Sequence, residues 1–317
     1  MSHPACLVIG YSRPDGTRRS IESAIAGGVS RVYLAIDGRK STENSLKFEF
    51  LDLVENIRNT YGVEVNTWFR EENLGTAASI ISALDWFFKN EKTGIILEDD
   101  LAPSLDFYVF ANDCLQEFEE DKEVWLISGN QFFPEACETD AISWSTYPLI
   151  WGWATWADKW IEIRKELLEK GLNFSPGTRL NVRNFWTVGQ DRALRGLVDS
   201  WAILLASQMH AKQKFCALPP VNLVTNLGVD QHAVHTVKNQ WPLNLPTQKI
   251  SSTLVSKVAS RKNVASTMDS LIDAQIYGIG LRHYFLSLIE YFRKKFLLGV
   301  HKPPLKERLQ RVIIPIT

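Results

Sequence analysis

The first 130 residues alternate short apolar runs, rich in β-branched residues, with longer segments of helical character. This alternation is typical of chains that build a sheet of parallel strands connected by helices. We predict strands at residues 5–11, 31–37, 64–70, 94–100 and 124–129. Helices are expected between them, because the first two intervening segments begin with Pro-Asp or Ser-Thr-Glu-Asn and end near glycine. The predicted fold class is therefore α/β, with a mixed, mostly parallel sheet flanked by helices.

Beyond residue 130 the chain is rich in aromatic residues, and we interpret segments such as "WSTYPLIWGWATWADKW" as loops, with helices near 156–170 and 183–212. The composition changes near residue 250 to a polar stretch. Apolar residues then follow helical spacing over 281–296. We predict one large domain over residues 1–250 and a separate C-terminal helical appendage over residues 251–317.

The charge balance excludes one broad class of function and raises a second question. The chain has 35 Lys and Arg against 36 Asp and Glu, whereas general nucleic-acid binders carry a basic excess. Residues 251–317 nevertheless hold eleven Lys or Arg against four Asp or Glu. Basic residues 293–295 stand beside apolar residues of the predicted helix. This pattern predicts peripheral contact with an anionic membrane surface, with docking onto the larger domain as the alternative.

The four cysteines are far apart and form no CxxC pair, so they indicate neither a zinc site nor a redox motif. The N-terminus lacks the pattern of a signal peptide, and no window reaches the ~18 apolar residues of a membrane span. We therefore expect a cytoplasmic protein, peripheral to the inner face of the membrane if the basic helix binds there.

Three consecutive carboxylates, Glu98, Asp99 and Asp100, follow the buried run "GIIL". One interpretation is a solvated acidic turn. A second is the magnesium-binding strand of an NTPase, but the sequence contains no GxxxxGK[ST] phosphate loop. The third is a divalent-metal site for a nucleotide diphosphate, since oxygen ligands at a strand end suit Mg²⁺ or Mn²⁺ and a bound dication offsets the repulsion between the acids.

Several segments, taken together, resemble the GT-A-fold glycosyltransferases. These are "LVIGYSRPDGTRRSIESAI", "VYLAIDGRK", "REENLGTAASIISALDWFF", "ILEDDL", "LIWGWATWADKW" and "NLGVDQHAVHT". Their order and spacing are similar to the N-acetylglucosaminyltransferase I group and related bacterial sugar transferases. The resemblance covers roughly residues 5 to 240, and the combination of "ILEDDL" with "WGWATW" is its most specific part. It implies a GT-A, Rossmann-like sheet.

The resemblance also implies roles for residues at the strand ends. Asp100 would bind the metal, and Glu98 and Asp99 would contact the nucleotide sugar. Arg13 and Asp37 would hold the nucleoside, and a carboxylate is a strong acceptor for an N–H of a base. Ordinary capping and turn formation is the alternative for Arg13 and Asp37.

Two further positions are expected near the donor. Asn73 and Gly75 precede a predicted helix, whose N-terminal N–H groups favour an anion, although plain capping has the same pattern. His235 aligns with a histidine that completes metal or diphosphate binding in many GT-A enzymes, and His232 competes for that role.

Transfer of a sugar to a hydroxyl needs a base for the acceptor proton. The segment "GLVDSWAILLASQ" resembles the family's acidic segment ahead of a tryptophan, which makes Asp199 the predicted general base. Relatives often carry a second acid there, where Ser200 and Ala202 stand in this sequence. Asp230 is the second candidate for the base, and a surface aspartate without a catalytic role is the alternative for Asp199.

The segment "WGWATW" provides Trp151 and Trp153 as walls for the donor or acceptor sugar, because aromatic faces suit the C–H bonds of a pyranose ring. Core packing is the alternative for both.

These features predict a metal-dependent, inverting glycosyltransferase. The expected cofactors are Mn²⁺ or Mg²⁺ with a nucleotide-sugar donor, most simply a UDP-sugar, and the acceptor is a hydroxyl of a glycan or a lipid-linked molecule. A sugar-nucleotide pyrophosphorylase is one alternative, although its Gly-rich Arg-Lys loop is missing near the first strand. A non-catalytic carbohydrate-binding or assembly protein on the same fold is another.

Overall fold

The structure is a computed structural model. It describes residues 3–38, 44–137, 141–228, 241–250, 261–279, 303–312 and 314.

Ten strands and nine α-helices are present in the described part of the chain. The strands are β1 (Ala5–Gly10), β2 (Arg31–Ile36), β3 (Glu64–Phe69), β4 (Thr93–Glu98), β5 (Leu101–Pro103), β6 (Val124–Ser128), β7 (Ser143–Ser145), β8 (Trp153–Trp156), β9 (Phe215–Leu218) and β10 (Val224–Asn226). The α-helices are α1 (Pro14–Ala26), α2 (Asn44–Tyr61), α3 (Thr76–Asn90), α4 (Leu105–Glu117), α5 (Ala157–Leu167), α6 (Leu180–Leu194), α7 (Trp201–Lys212), α8 (Arg261–Leu271) and α9 (Leu305–Gln310).

Eight strands form one mixed sheet in the order β3-β2-β1-β4-β8-β6-β9-β7, and β10 pairs with β5 in a small second sheet. The strands β3, β2, β1 and β4 are parallel neighbours, whereas β8 and β7 run antiparallel to the strands beside them. All five predicted strands are confirmed, with bounds that differ by one or two residues. The predicted α/β fold class is therefore also confirmed.

Two hydrophobic cores cover the two faces of the sheet, because side chains of a strand alternate between its faces. Leu7 belongs to the core beneath α3, α5 and α7, while its neighbour Val8 belongs to the core beneath α1, α2 and α4. The buried strands are continuous apolar runs, as expected for a parallel sheet covered on both faces. This packing fixes the strand ends that carry the candidate site.

The second half of the molecule differs from the sequence-based expectation. The segment 144–160 was predicted as loop, but it contains β8, which lies between β4 and β6 in the middle of the sheet. The predicted helix over 183–212 is two helices, α6 and α7, separated by residues 195–200. Strands β7, β9 and β10 were also missed.

The described parts of the C-terminal region pack onto the larger unit. Helix α8 lies against β7, and α9 lies against α3 and α6. Met268 and Leu305 are both buried in the core beneath α3. For these helices, docking onto the body is the observed arrangement. The amphipathic stretch over 281–296 lies outside the described residues, and the separate appendage remains a prediction for that stretch.

Within the described residues, no helix combines the length and the apolar character needed to cross a membrane.

A buried polar network fastens α8 to the sheet. Asp269 accepts hydrogen bonds from Ser145 Oγ at 2.6 Å, from the Thr146 backbone N at 2.9 Å and from Thr146 Oγ1 at 2.5 Å. The same Thr146 oxygen lies 2.7 Å from Nδ1 of His210. Burial is the largest cause that raises the pKa of Asp269 to about 6. The hydrogen bonds from Ser145 and Thr146 lower this pKa, and the charge of Asp273 raises it. Burial lowers the pKa of His210 to about 4.

We expect Asp269 to make stability depend on pH between about 4 and 6. The folded-state pKa lies above the ordinary value of 3.8, so the stabilisation is complete below pH 4 and is lost as pH rises through 6. The free energy of unfolding of the wild type minus that of Asp269→Asn should fall by roughly 3 kcal/mol from pH 4 to pH 7. Urea unfolding across this range measures the difference.

His210 has the opposite trend, which favours the folded state as pH rises, and its Nδ1 lies 4.0 Å from Asp269 Oδ2. The comparison is therefore made with His210→Gln in both proteins. Asp52→Asn, at an exposed position of α2, is the matched control. An unchanged difference across the pH range would contradict the assignment.

Candidate active site

The carboxyl ends of β1, β2 and β4 meet at one edge of the sheet, with β1 between the other two. Asp37 follows β2, and Glu98–Asp100 stand at the end of β4. Ligands of open α/β sheets bind outside the carboxyl ends of the strands. This edge is therefore the candidate active site, and the structure brings the predicted acids together there.

Asp99 is held by the chain that follows β1. Its carboxylate accepts the Tyr11 backbone N–H at 3.1 Å and Nη1 of Arg13 at 3.2 Å, and the residue is 7% exposed. Helix α1 begins close to this turn because Gly16 has no side chain: a Cβ there would lie 2.0 Å from the carbonyl oxygen of Asp99. These contacts fix Asp99 by internal bonds.

Asp100 is the more accessible carboxylate, with a side chain that is 24% exposed. Its Oδ2 lies 3.5 Å from Nη1 of Arg13, and its carbonyl oxygen accepts the Leu227 N–H at 2.7 Å. A Cβ on Gly228 would lie 2.5 Å from the same Oδ2, so only a glycine allows the backbone to pass so close. Arg13 thus neutralises part of the charge of both aspartates, and its predicted nucleoside contact remains a prediction.

The three remaining predicted candidates of this region, Asp230, His232 and His235, lie outside the described residues.

The surroundings of Glu98 raise the pKa of its side chain. Burial is the largest cause that raises its pKa to about 8, followed by the charges of Asp100 and Asp99, while Arg13 acts in the opposite direction. Its backbone carbonyl accepts Ser20 Oγ at 3.0 Å. These surroundings therefore favour the protonated form of Glu98 relative to a free glutamate.

The acids at this edge can hold a divalent metal only together with further ligands. Among the residues that the structure describes, no three His, Cys, Asp or Glu side chains form a metal-binding group. Mg²⁺ commonly binds through one or two carboxylates together with phosphate oxygens of a substrate. Asp100 is partly exposed, and Asp99 is hydrogen-bonded beside it. This pair fits a metal that is bound by one or two carboxylates together with the phosphate oxygens of a nucleotide.

Asp37 lies 6% exposed at the end of β2 and accepts the Leu74 N–H at 3.2 Å. Burial raises its pKa, and its hydrogen bonds and the nearby charge of Arg70 oppose that shift. Asn73 donates Nδ2 to the carbonyl of Gly38 at 2.9 Å, and Gly75 begins α3 with φ of 75°. These residues therefore tie the end of β2 to the start of α3, and their contact with a nucleoside remains a prediction.

Arg70 is a site residue that the motif comparison missed, although its place at the end of β3 was visible in the sequence. Its guanidinium lies 4.0 Å above the Trp68 ring and donates to Ser79 and Ser82 of α3 at 2.9–3.2 Å. Burial lowers its pKa to about 10. Arg70 is positioned to fix α3 against the sheet edge and to balance Asp37.

The side chain of Asp199, which comes just before α7, contacts the N-terminus of α3. Its Oδ2 accepts the Thr76 N–H at 2.9 Å, and its Oδ1 accepts the Ala77 N–H at 3.2 Å. Oδ1 also accepts Nη1 of Arg308 at 2.8 Å. The side chain is only 12% exposed, and these internal contacts hold it in place. Its role as a general base remains a prediction.

Arg308 is the second residue that the sequence did not reveal. It lies in α9, is 7% exposed, and donates Nη1 to Asp199 and to the Leu74 carbonyl at 2.9 Å. Its Nε and Nη2 atoms are buried and have no hydrogen-bond partner in the described structure.

The two tryptophans predicted as sugar walls have different environments. Trp153 is 2% exposed, and its ring centroid lies 5.6 Å from that of Trp201 in the core. The prediction of a sugar contact is wrong for Trp153, because β8 directs it into the packed interior. Trp151 is partly buried, and its backbone N donates to Asn130 Oδ1 at 3.1 Å.

No model of a protein family and no curated protein sequence matches this chain. Among solved structures, a mannosyltransferase, PcManGT from Pyrobaculum calidifontis in complex with GDP-Man and Mn²⁺, is 14% identical, with a TM-score of 0.39 over 73% of this chain and 59% of that chain. HddC from Yersinia pseudotuberculosis is also 14% identical, with a TM-score of 0.27 over 44% of this chain and 59% of that chain.

An inositol-1-phosphate CTP transferase from T. maritima is 10% identical, with a TM-score of 0.34 over 69% of this chain and 86% of that chain. The matches to the mannosyltransferase and to HddC span about 59% of those proteins. At these identities and TM-scores the likeness says nothing about function. Membership of the N-acetylglucosaminyltransferase I group remains a prediction.

Proposed function

We propose that this protein is a metal-dependent, inverting glycosyltransferase that moves a sugar from a UDP-sugar to a hydroxyl of a glycan or lipid-linked acceptor. The observation that supports it is the arrangement of Asp37, Glu98, Asp99 and Asp100 along one carboxyl edge of the sheet, with the Arg13 guanidinium between the last two. Such an edge offers carboxylates for a nucleoside and a cation for a diphosphate.

In this proposal, Asp37 accepts from a nucleobase or ribose, and Asn73 and Gly75 keep the start of α3 in place beside it. Glu98 and Asp99 contact the donor. Asp100 holds the metal together with the diphosphate, and His235 contributes from outside the described residues. A divalent cation supplies Lewis-acid stabilisation of the departing diphosphate.

Asp199 is proposed to take the proton from the acceptor hydroxyl while the hydroxyl oxygen forms the new glycosidic bond and the bond to the diphosphate breaks. Its contacts with Thr76, Ala77 and Arg308 hold the carboxylate in one orientation, as a positioned base requires. A single displacement of this kind inverts the configuration of the anomeric carbon.

The contacts of Asp199 also favour a second candidate function. Three donors on one carboxylate serve a capped helix equally well, and Ser200 and Ala202 replace the second acid of the resembled family. A carbohydrate-binding protein that kept the donor-binding fold is therefore the competing proposal.

Removal of the metal separates these proposals. We expect the protein to release UDP from at least one of UDP-glucose, UDP-galactose and UDP-N-acetylglucosamine in the presence of Mn²⁺. The release should stop with EDTA and return when Mn²⁺ is restored, and GDP-mannose serves as the donor control. A lack of UDP release with every donor would contradict the transferase and leave the binding protein.

A further inference from the structure

Three aromatic rings form one group beside the candidate active site, here named the aromatic platform: Trp151, Phe132 and Trp241. The Phe132 ring centroid lies 5.3 Å from that of Trp151 and 6.3 Å from that of Trp241. Phe133, which is buried, supports Trp241 from the core at 5.3 Å. Phe132 therefore connects Trp151 and Trp241, which come from two distant parts of the chain.

Trp241 is unusual among the tryptophans of this protein. Eight of the eleven are buried and two are partly buried, whereas Trp241 is 48% exposed. Tryptophan is highly buried on average, so an exposed indole that is packed on two phenylalanines suggests a surface for a ligand. Trp151 is partly buried at the other end of the group.

Hydrogen bonds fix both ends of the aromatic platform to β10. The Trp151 backbone N donates to Asn130 Oδ1 at 3.1 Å, and Asn130 Nδ2 donates to the Val224 carbonyl at 3.2 Å. On the other side, the Leu245 carbonyl, four residues after Trp241, accepts Thr225 Oγ1 at 2.8 Å. The rings are thus held before any ligand arrives, which reduces the entropy cost of binding.

The same strand connects the aromatic platform to the candidate active site. The carbonyl of Asn226, the last residue of β10, accepts the Asn244 N–H at 3.0 Å, three residues after Trp241. The next residue, Leu227, donates to the Asp100 carbonyl at 2.7 Å. The end of β10 therefore contacts both the segment that follows Trp241 and the backbone of Asp100.

We infer that the aromatic platform is a subsite for a pyranose ring of the acceptor, with Trp241 as the exposed face. The inference rests on the proposed function, because it is the transferase that needs an acceptor sugar beside Asp100. The apolar C–H face of a pyranose stacks on an indole, while its hydroxyl rim stays hydrated or reaches the polar groups around β10. A lipid-linked acceptor would bind here through its sugar.

Saturation-transfer NMR with a panel of soluble disaccharides tests the subsite directly. The panel ends in glucose, galactose, mannose or N-acetylglucosamine, and sorbitol, which lacks a ring, is the ligand control. We expect saturation at the axial C–H protons of at least one disaccharide. Trp241→Ala should weaken its binding by about tenfold, and Trp241→Phe should restore most of the affinity. Tyr61→Ala, at 44% exposure on α2, should change nothing.

UDP binding with Mn²⁺ is measured on the same proteins and should not differ between the wild type and Trp241→Ala. Sugar binding that depends on Trp241 without any UDP binding would retain the subsite and overturn the transferase. UDP binding without saturation of any disaccharide, or sugar binding that Trp241→Ala leaves unchanged, would overturn the subsite.

Discussion

Asp100→Ala is expected to reduce Mn²⁺-dependent UDP release by about a thousandfold, because a metal at a leaving group contributes several kcal/mol of transition-state stabilisation. The fold should survive, since Arg13 keeps its 3.2 Å contact with Asp99 and since the Asp100 backbone, not its side chain, binds Leu227. Initial rates of UDP release at saturating donor, with the thermal midpoint of each protein, measure both effects.

Glu117→Ala is the matched control for this prediction, because Glu117 is an exposed acid at the end of α4. It should leave the rate of UDP release unchanged. Full activity of Asp100→Ala would refute the assignment of Asp100 to the metal. A large fall in the thermal midpoint would instead show that Asp100 acts in folding.

The strands of the first half could be predicted because burial on both faces makes them continuous apolar runs, bounded by turn and capping residues. The acids could be placed together for a related reason: the carboxyl ends of parallel strands meet at one edge. Asp37 and Asp100 received their roles from the family resemblance, and this rule explains why the structure places them at one edge. Their neighbour Arg70 obeyed the same rule, but no motif singled it out.

Strand β8 could not be predicted, because its sequence "WATW" is short and has a tryptophan at each end. Its extended conformation depends on partners far away in the chain, Ile95 on one side and Ile127 on the other. The wrong prediction for Trp153 has the same cause, because this residue belongs to β8. Once β8 is placed between β4 and β6, Trp153 points into the core while Trp151 precedes the strand.

The contact of Asp199 with Arg308 joins residues 109 positions apart. No local pattern encodes such a pair, and the charge of the C-terminal region suggested a membrane instead. In the structure, Arg308 forms an internal ion pair with Asp199. It therefore connects α9 to the start of α3, next to the predicted base.

Arg308→Met is expected to destabilise the protein by about 3–5 kcal/mol, the usual cost of leaving one partner of a buried ion pair without the other. Methionine fills much of the volume of the arginine stem, so the loss reports the removal of the ion pair with Asp199 more than a cavity. The two unpartnered nitrogens of Arg308 already cost the folded state something, which places the expected value toward the lower end. Urea unfolding at pH 7 gives the free energy.

The double variant Asp199→Asn/Arg308→Met decides between an ion pair and simple packing. Asparagine still accepts the Thr76 N–H, and both charges are gone, so the double variant should be more stable than Arg308→Met alone. Lys306→Met, at an exposed position of α9, controls for the helix itself and should cost little. If Arg308→Met costs no more than Lys306→Met, the pair does not anchor α9. If Asp199→Asn keeps its stability but loses sugar transfer, the carboxylate is needed for proton transfer beyond its capping of α3.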